Sequence, residues 1–251
     1  MRNVEFNSQY WDGDYDWTGG GEEWSDMWGG SRAQWLGSLY PRVSAFLPTK
    51  TILEIAPGFG RWTRFLLASS ESYQGVDLSQ ECVDACIARF QRSPHAQFFK
   101  NDGASLDFAD DGAIDFIFSF DSLVHASLDV LHAYIPQIVS KLSPSGVAFI
   151  HHSNWLGTGE GLSNDHGRAT DVSCDAVKES IETSGGRILI QEKINWGAHE
   201  CTDCLTTFSR EDAYSSLQPV TLENQEFMRE GNYIREFQSP YSRIAIQSTV
   251  S

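Results

Sequence analysis

The sequence has no unbroken apolar run of about eighteen residues, the length that a membrane-spanning helix requires. Its opening, Met1-Arg2-Asn3-Val4-Glu5, continues polar and aromatic, without an apolar stretch of signal-peptide length. Positive charge is scarce: 18 Lys and Arg stand against 34 Asp and Glu, a formal net charge of −16. Nucleic acids and anionic membranes are bound by Lys and Arg that neutralise phosphates, and such a surface repels both. Cysteine is sparse and unpatterned. Cys82, Cys86, Cys174, Cys201 and Cys204 are odd in number and follow no framework spacing, which points to a reducing compartment. Cys201-x-x-Cys204 has no second Cys or His pair at matching spacing, so both are read as strand residues and no metal site is expected. These absences lead to an expectation of a cytoplasmic enzyme with a small-molecule substrate. Internal repeats and low-complexity linkers are lacking too, so residues 1–251 are read as one domain: an N-terminal lid and helix (1–47), a core (48–210) and a C-terminal extension (211–251).

What is present is an ordinary globular composition, with 41% hydrophobic residues. From Thr51 onward the pattern alternates between short β-branched runs and helical spacing. Strands are expected at 51–55, 72–77, 97–100, 114–120, 146–152, 187–194 and 203–209, and helices at 61–68, 80–91, 130–142 and 173–184. This order predicts an α/β fold, a Rossmann-like, mostly parallel sheet with helices on both faces. Ser31 with Gln34 reads as a capping box ahead of Trp35, Leu36, Leu39, Val43, Phe46 and Leu47, with Pro41 kinking or splitting that helix. In the tail, Ile234–Phe237 and Arg243–Ile246 read as strands at a sheet edge or a homodimer contact.

The most informative stretch is Leu53-Glu54-Ile55-Ala56-Pro57-Gly58-Phe59-Gly60-Arg61-Trp62, a buried strand that runs into a glycine turn and a helix. Two glycines allow close backbone approach to a ligand, and the helix start offers free N–H groups. The spacing lacks the third glycine of a dinucleotide fingerprint and the Lys of a P-loop. About twenty residues on, Asp77 ends the next strand, where a carboxylate reaches neighbouring ribose hydroxyls in a Rossmann-type sheet. Asn101-Asp102-Gly103 follows the third strand, with Asp102 also readable as a turn residue. Ser119-Phe120-Asp121-Ser122-Leu123-Val124-His125 follows the fourth strand, with His125 readable as a core residue.

Over roughly residues 50–210 these motifs resemble class I S-adenosylmethionine-dependent methyltransferases. The resemblance implies S-adenosylmethionine as cofactor. It places Glu54, Ala56, Gly58, Gly60 and Trp62 at the glycine turn, with Asp77 and Leu78 at the ribose. Asp102 falls at the adenine amino group, Gly103 or Ala104 donates an N–H to the ring, and Phe120 lies at the methionine end. Trp28-Gly29-Gly30-Ser31, the glycine-turn motif and His151-His152-Ser153-Asn154 are similar to a bacterial subgroup of sugar and secondary-metabolite methyltransferases, toxoflavin-type enzymes among them.

On the acceptor side, His151 and His152 end the fifth strand, next to the expected methyl position. One of them is expected to accept a proton near neutral pH, and strand alternation sends them to opposite faces. His152 lies further toward the open end. The aromatic N-terminal segment, with Tyr10, Trp11, Tyr15, Trp17, Trp24 and Trp28, reads as a lid that keeps the pocket dry or as an arm pinned to the core. Tyr10 also counts among the catalytic candidates. Tyr10, Trp11, Trp24, Trp28, Asp121, Asn154, Arg168 and Trp196 are the expected acceptor contacts. The expected reaction is methyl transfer to an O or N atom of a small polar metabolite. Its rivals are other uses of the same cofactor such as cyclisation, a nicotinamide-dependent oxidoreductase, and a non-catalytic cofactor-binding module.

Overall fold

Strands buried on both faces read as near-continuous apolar runs, and the centre of this chain's sheet is built from such runs. The computed structural model describes residues 3–197 and 199–237. The strands are β1 (Thr49–Ile55), β2 (Ser70–Asp77), β3 (Ala96–Lys100), β4 (Ile114–Ser119), β5 (Leu142–Ser153), β6 (Gly186–Trp196), β7 (His199–Arg210) and β8 (Val220–Asn224). They form a sheet of order β3-β2-β1-β4-β5-β7-β6-β8. β1 to β5 pair in parallel, β7 runs antiparallel between β5 and β6, and β8 adds in parallel to β6. The mostly parallel Rossmann-like sheet is therefore as the β-α alternation predicts. The strand order reverses between β1 and β4, which opens a crevice at their carboxyl ends.

The helices are α1 (Val4–Gln9), α2 (Ser31–Gln34), α3 (Tyr40–Val43), α4 (Thr63–Leu67), α5 (Gln80–Arg89), α6 (Leu128–Lys141), α7 (Cys174–Thr183) and α8 (Glu230–Phe237). Two apolar layers cover the sheet. On one side Leu131, Ile135 and Ile138 of α6 and Val177 and Ile181 of α7 pack on Leu53, Ile117, Ala148 and Ile150. On the other, Trp35, Leu39, Val43 and Leu66 pack on Ile52, Phe116, Phe118 and Phe149.

The N-terminal segment is more ordered than a loop. Asn3 caps α1 by accepting the Phe6 N–H at 2.9 Å. A wide turn over Tyr10–Asp14 and two 3₁₀ segments, Trp17–Gly19 and Glu22–Trp28, lead to α2. Ser31 does not cap that helix. Gly30, at φ 103°, is the N-cap, and the Ser31 hydroxyl instead joins Glu22 and Arg64. Pro41 splits the helix as expected. The chain widens into a π turn over Trp35–Leu39, closed by the Tyr40 N–H on the Trp35 carbonyl, and resumes in α3 with Pro41 in its first turn, where a missing N–H costs least.

The C-terminal expectation fails in part. Ile234–Phe237 lies in α8 and forms no strand. Two apolar residues three apart suit one helix face as well as a strand, so the pattern was too short to decide. The added edge strand is β8 instead, and Arg243–Ile246 lies outside the described residues.

Arg42 ties the N-terminal helices to this tail. Its guanidinium donates to Glu192 at 2.6 and 2.7 Å, to Glu230 at 2.7 and 3.0 Å, and to the Ser38 carbonyl at 2.6 Å. Removing it leaves two carboxylates facing each other in a largely dry seam. Arg42→Ala is expected to cost about 3 kcal/mol in urea unfolding, in line with other disrupted buried pairs.

Candidate active site

The crevice at the ends of β1, β2 and β4 is a cleft of about 900 Å³, counted to its open mouth. Its floor is the glycine turn. Ala56 (φ 56°), Gly58 (φ 57°) and Gly60 (φ 82°) all take left-handed conformations. At Gly60 a β-carbon would lie 2.5 Å from the Phe90 ring, so only glycine closes this turn. Asp77 stands beside it with one oxygen accepting the Gly58 N–H and the other the Ser79 N–H, each at 3.0 Å. Burial pushes its carboxyl up to about 6 against the pull of those N–H groups. A carboxylate has lone pairs beyond these two bonds, so it retains acceptors for a pair of hydroxyls. Leu78, Gly103, Phe120 and Trp62 complete the wall.

Two buried polar atoms in this wall have no partner among the described residues: the Trp62 indole N–H and Asn7 Oδ1. Orphaned buried groups are rare unless a ligand meets them. A donor, an acceptor and a carboxylate around a glycine cradle fit S-adenosylmethionine, whose amino acid and ribose present both acceptors and donors. When bound there, the cofactor supplies a methyl group on a cationic sulfur.

The N-terminal segment closes over this cleft. Trp17 stacks on Phe59 at 4.6 Å and 5°. Asp12 accepts the Ser79 hydroxyl at 2.8 Å, and Val4 reaches Gly103. Beyond the cleft, a second cavity is lined by Tyr10, Trp11, Tyr15, Glu23, Trp24 and Trp28 of the segment and by Asp165, His166, Arg168 and Trp196 of the core. Trp11, Trp24, Asp121 and His125 line both spaces.

A chain of buried charges runs under the join. Arg61 donates to Asp121 at 2.8 Å and lies over the rings of Trp62 and Trp24 at 4.5 and 5.1 Å. Arg168 sits between Asp121 at 3.7 Å and Asp203, to which Nη2 and Nε donate at 2.8 and 3.1 Å. Asp203 also meets His151 Nε2 at 3.0 Å. Burial alone would raise the Asp203 carboxyl. The Arg168 charge and the His151 hydrogen bond outweigh it and hold the group below the usual carboxylate range.

The two histidines of β5 do face opposite ways, but neither lines either cavity. His151 Nδ1 accepts the Asp121 N–H at 3.2 Å, so Nε2 is the nitrogen that donates to Asp203. Burial lowers its pKa and Asp203 pulls it back only in part. His152 points to the other face, with Nδ1 near the Ser153 carbonyl and Nε2 near the Thr206 hydroxyl, both at 2.8 Å. Both rings are fully buried with both nitrogens engaged. The geometry gives neither of them a route to an acceptor's proton, so the expectation of a β5 base is corrected.

Three further expectations change. Glu54 lies behind the glycine turn, where it accepts from Tyr73 and from Thr63 at 2.7 Å. Burial drives its carboxyl up to about 7. Asp102 is a turn residue that accepts the Ala104 and Ser105 N–H groups at 2.9 and 2.8 Å, and the Gly103 N–H is taken by Asn101. Asn154 spends its amide on the Cys174 N–H and the Cys201 carbonyl, both at 2.7 Å. Tyr10, Trp11, Trp24, Trp28, Asp121, Arg168 and Trp196 all line the second cavity. Sequence reasoning missed Arg61, Glu23, Asn7 and Asp203. Asp203 alone left a signal, an acidic residue inside a run that otherwise reads as a buried strand.

Residues 52–146 match the model of a methyltransferase domain. No curated protein matches the chain. Among solved structures it is similar to an S-adenosylmethionine-dependent methyltransferase from Clostridium acetobutylicum, at 14% identity over 82% of this chain and 96% of that one, TM-score 0.56. It is also similar to the N-methyltransferase NodS from Bradyrhizobium japonicum, in complex with S-adenosylhomocysteine, at 17% identity over 70% and 85%, TM-score 0.55. The [4+2]-cyclase SpnF aligns as well, at 16% identity over 72% and 82%, TM-score 0.54. The fold is the one these structures share. The methyltransferase-domain match spans the glycine turn, Asp77 and the end of β4, the parts of the chain that form the cleft.

Cofactor affinity should follow Asp77 ionisation. Hydroxyl donors need the carboxylate, so S-adenosylhomocysteine affinity, measured by calorimetry, is expected to be full well above pH 6 and to fall as pH drops through about 6. Asp77→Asn should bind weakly and lose this step. Substituting His151 by Ala strands the Asp121 N–H and one Asp203 contact. It is expected to cost about 1–3 kcal/mol of stability and to leave the shape of the turnover–pH curve unchanged; a lost limb near the free-histidine pKa would reinstate the β5 base.

Proposed function

We infer that the protein transfers a methyl group from S-adenosylmethionine to an O or N atom of a small polar metabolite, such as a secondary-metabolite heterocycle or a sugar, in the cytoplasm. One observation carries this reading: the cofactor cleft and the aromatic cavity share Trp11, Trp24, Asp121 and His125 as a common wall. An acceptor in the second cavity would lie against the sulfur end of the first. Positioning two reactants in this way supplies much of the rate gain in a displacement at carbon. The rings around the join exclude water that would otherwise screen the sulfonium.

The proton acceptor in this reading is His125. It lines both cavities, and its Nδ1 donates to the Gly167 carbonyl at 2.9 Å, which fixes the ring between them. The similarity to a [4+2]-cyclase keeps in view that this fold hosts other chemistry.

The test is turnover with a panel of amines, alcohols and flat heterocycles, read as S-adenosylhomocysteine released. Trp11→Ala and His125→Gln are each expected to lower turnover at least tenfold, with smaller losses in cofactor affinity. Release of methylthioadenosine in place of S-adenosylhomocysteine would replace methyl transfer by an intramolecular use of the cofactor. Cofactor binding with no turnover across the panel and no effect of either substitution would count against an acceptor in this cavity.

A further inference from the structure

The aromatic cavity has a shape and a charge that bear on its occupant. Its rings do not form a parallel pair that would sandwich a plane. Tyr10 meets Trp11 at 84°, Trp11 meets Trp24 at 87°, Tyr15 meets Trp24 at 44° and Trp28 meets Trp196 at 42°. Rings inclined to one another in this way form the sides of a box. Tyr10, Tyr15, Trp28 and Trp196 line this cavity and not the cofactor cleft, so they are not accounted for by the sulfonium.

The charge of the lining is negative. Asp121 is paired with Arg61 and Arg168 with Asp203, so Glu23 and Asp165 carry the net charge. Arg168 is already bound to Asp203 and lies over Trp196 at 4.6 Å, so it is not available to anchor an anionic substrate. Glu23 offers the reverse. One of its oxygens accepts the Tyr15 hydroxyl, and the other, Oε2, is buried with no partner among the described residues. A carboxylate oxygen left without a donor in a largely dry site is costly unless a ligand meets it. Aromatic faces together with a carboxylate form the arrangement that holds an alkylammonium ion, through ring quadrupoles and a charge-assisted hydrogen bond.

We propose that the acceptor is a small aliphatic amine, held as its ammonium form by the aromatic box and Glu23. The proposal rests on the methyl-transfer reading and narrows it to nitrogen. The ammonium gives one proton to His125. The freed nitrogen lone pair then forms the N–CH₃ bond as the methyl–sulfur bond breaks and its electron pair stays on sulfur. The amine product leaves with one more methyl and a positive charge.

The test uses the full-length protein saturated with S-adenosylhomocysteine and follows tryptophan fluorescence. Three soluble probes of one shape differ in charge: choline, its neutral carbon isostere 3,3-dimethylbutanol, and the anion 3,3-dimethylbutyrate. Choline is expected to bind at least tenfold tighter than the neutral isostere, and the anion weakest. Glu23→Gln should reduce the choline preference to threefold or less. Gly19→Ala provides a second variant that keeps every charge and ring: a β-carbon there would lie 2.2 Å from Glu23 Oε2, so the carboxylate must move, and the preference should again fall. Choline binding no tighter than the isostere or the anion overturns the proposal, as does full preference retained in both variants. If S-adenosylhomocysteine itself does not bind, the methyltransferase reading fails first. If it binds and the probes show no charge preference, only the amine assignment fails.

Discussion

The site is organised by the buried line of charge from Arg61 through Asp121 and Arg168 to Asp203 and His151. Its two guanidiniums and two carboxylates cancel, and the neutral imidazole ends it. Each ion alone would be expensive in that dry interior, and each is tolerable only because its neighbours are in place. The line joins five separate pieces of the chain: the start of the helix after the glycine turn, the end of β4, the segment before Ala169, β7 and β5. It also reaches the N-terminal segment, where the Arg61 guanidinium lies over Trp24 and donates to Ser25 at 3.3 Å. The cofactor turn, the common wall and the N-terminal segment thus share one electrostatic frame.

This frame explains why histidines at a strand end need not be catalytic. β5 and β7 pair so that Ser153 lies opposite Asp203 and His151 opposite Leu205. Asp203 needs a donor from β5, and His151 provides it. The imidazole serves as a neutral strut that holds Asp203 on one side and the Asp121 N–H on the other. Asp121 itself takes a left-handed conformation, φ 64°, which turns its carboxylate toward both arginines. That conformation is unusual for a residue other than glycine, and strain of this kind persists where the surroundings over-determine it.

The central sheet was legible because its evidence is local. A strand, a glycine turn and a helix within ten residues, then Asp77 at the next strand end, follow from hydrophobic runs and backbone needs that nearby residues express. The aromatic N-terminal segment stood out for the same reason, since Trp and Tyr rings crowd a short stretch. What was not legible depends on pairings across long stretches of chain. Arg61 meets Asp121 sixty residues away, and Arg168 meets Asp203 thirty-five away. Nothing in the neighbourhood of any of these residues marks the partner. The same limit turned Asn154 into a site residue on position alone, although its amide is spent on the Cys174 N–H and the Cys201 carbonyl. The tail went astray for a different reason: Ile234 and Phe237 suit two periodicities equally.

The wall common to the two cavities has a thermodynamic consequence. Trp11, Trp24, Asp121 and His125 cannot adjust to one occupant without changing what they present to the other. The two binding equilibria are therefore linked, and linkage is reciprocal. Whatever factor one occupant contributes to the affinity of the other is returned in full. Where that factor exceeds one, a half-filled state is disfavoured through the free energy of a shared partition, with no separate control site.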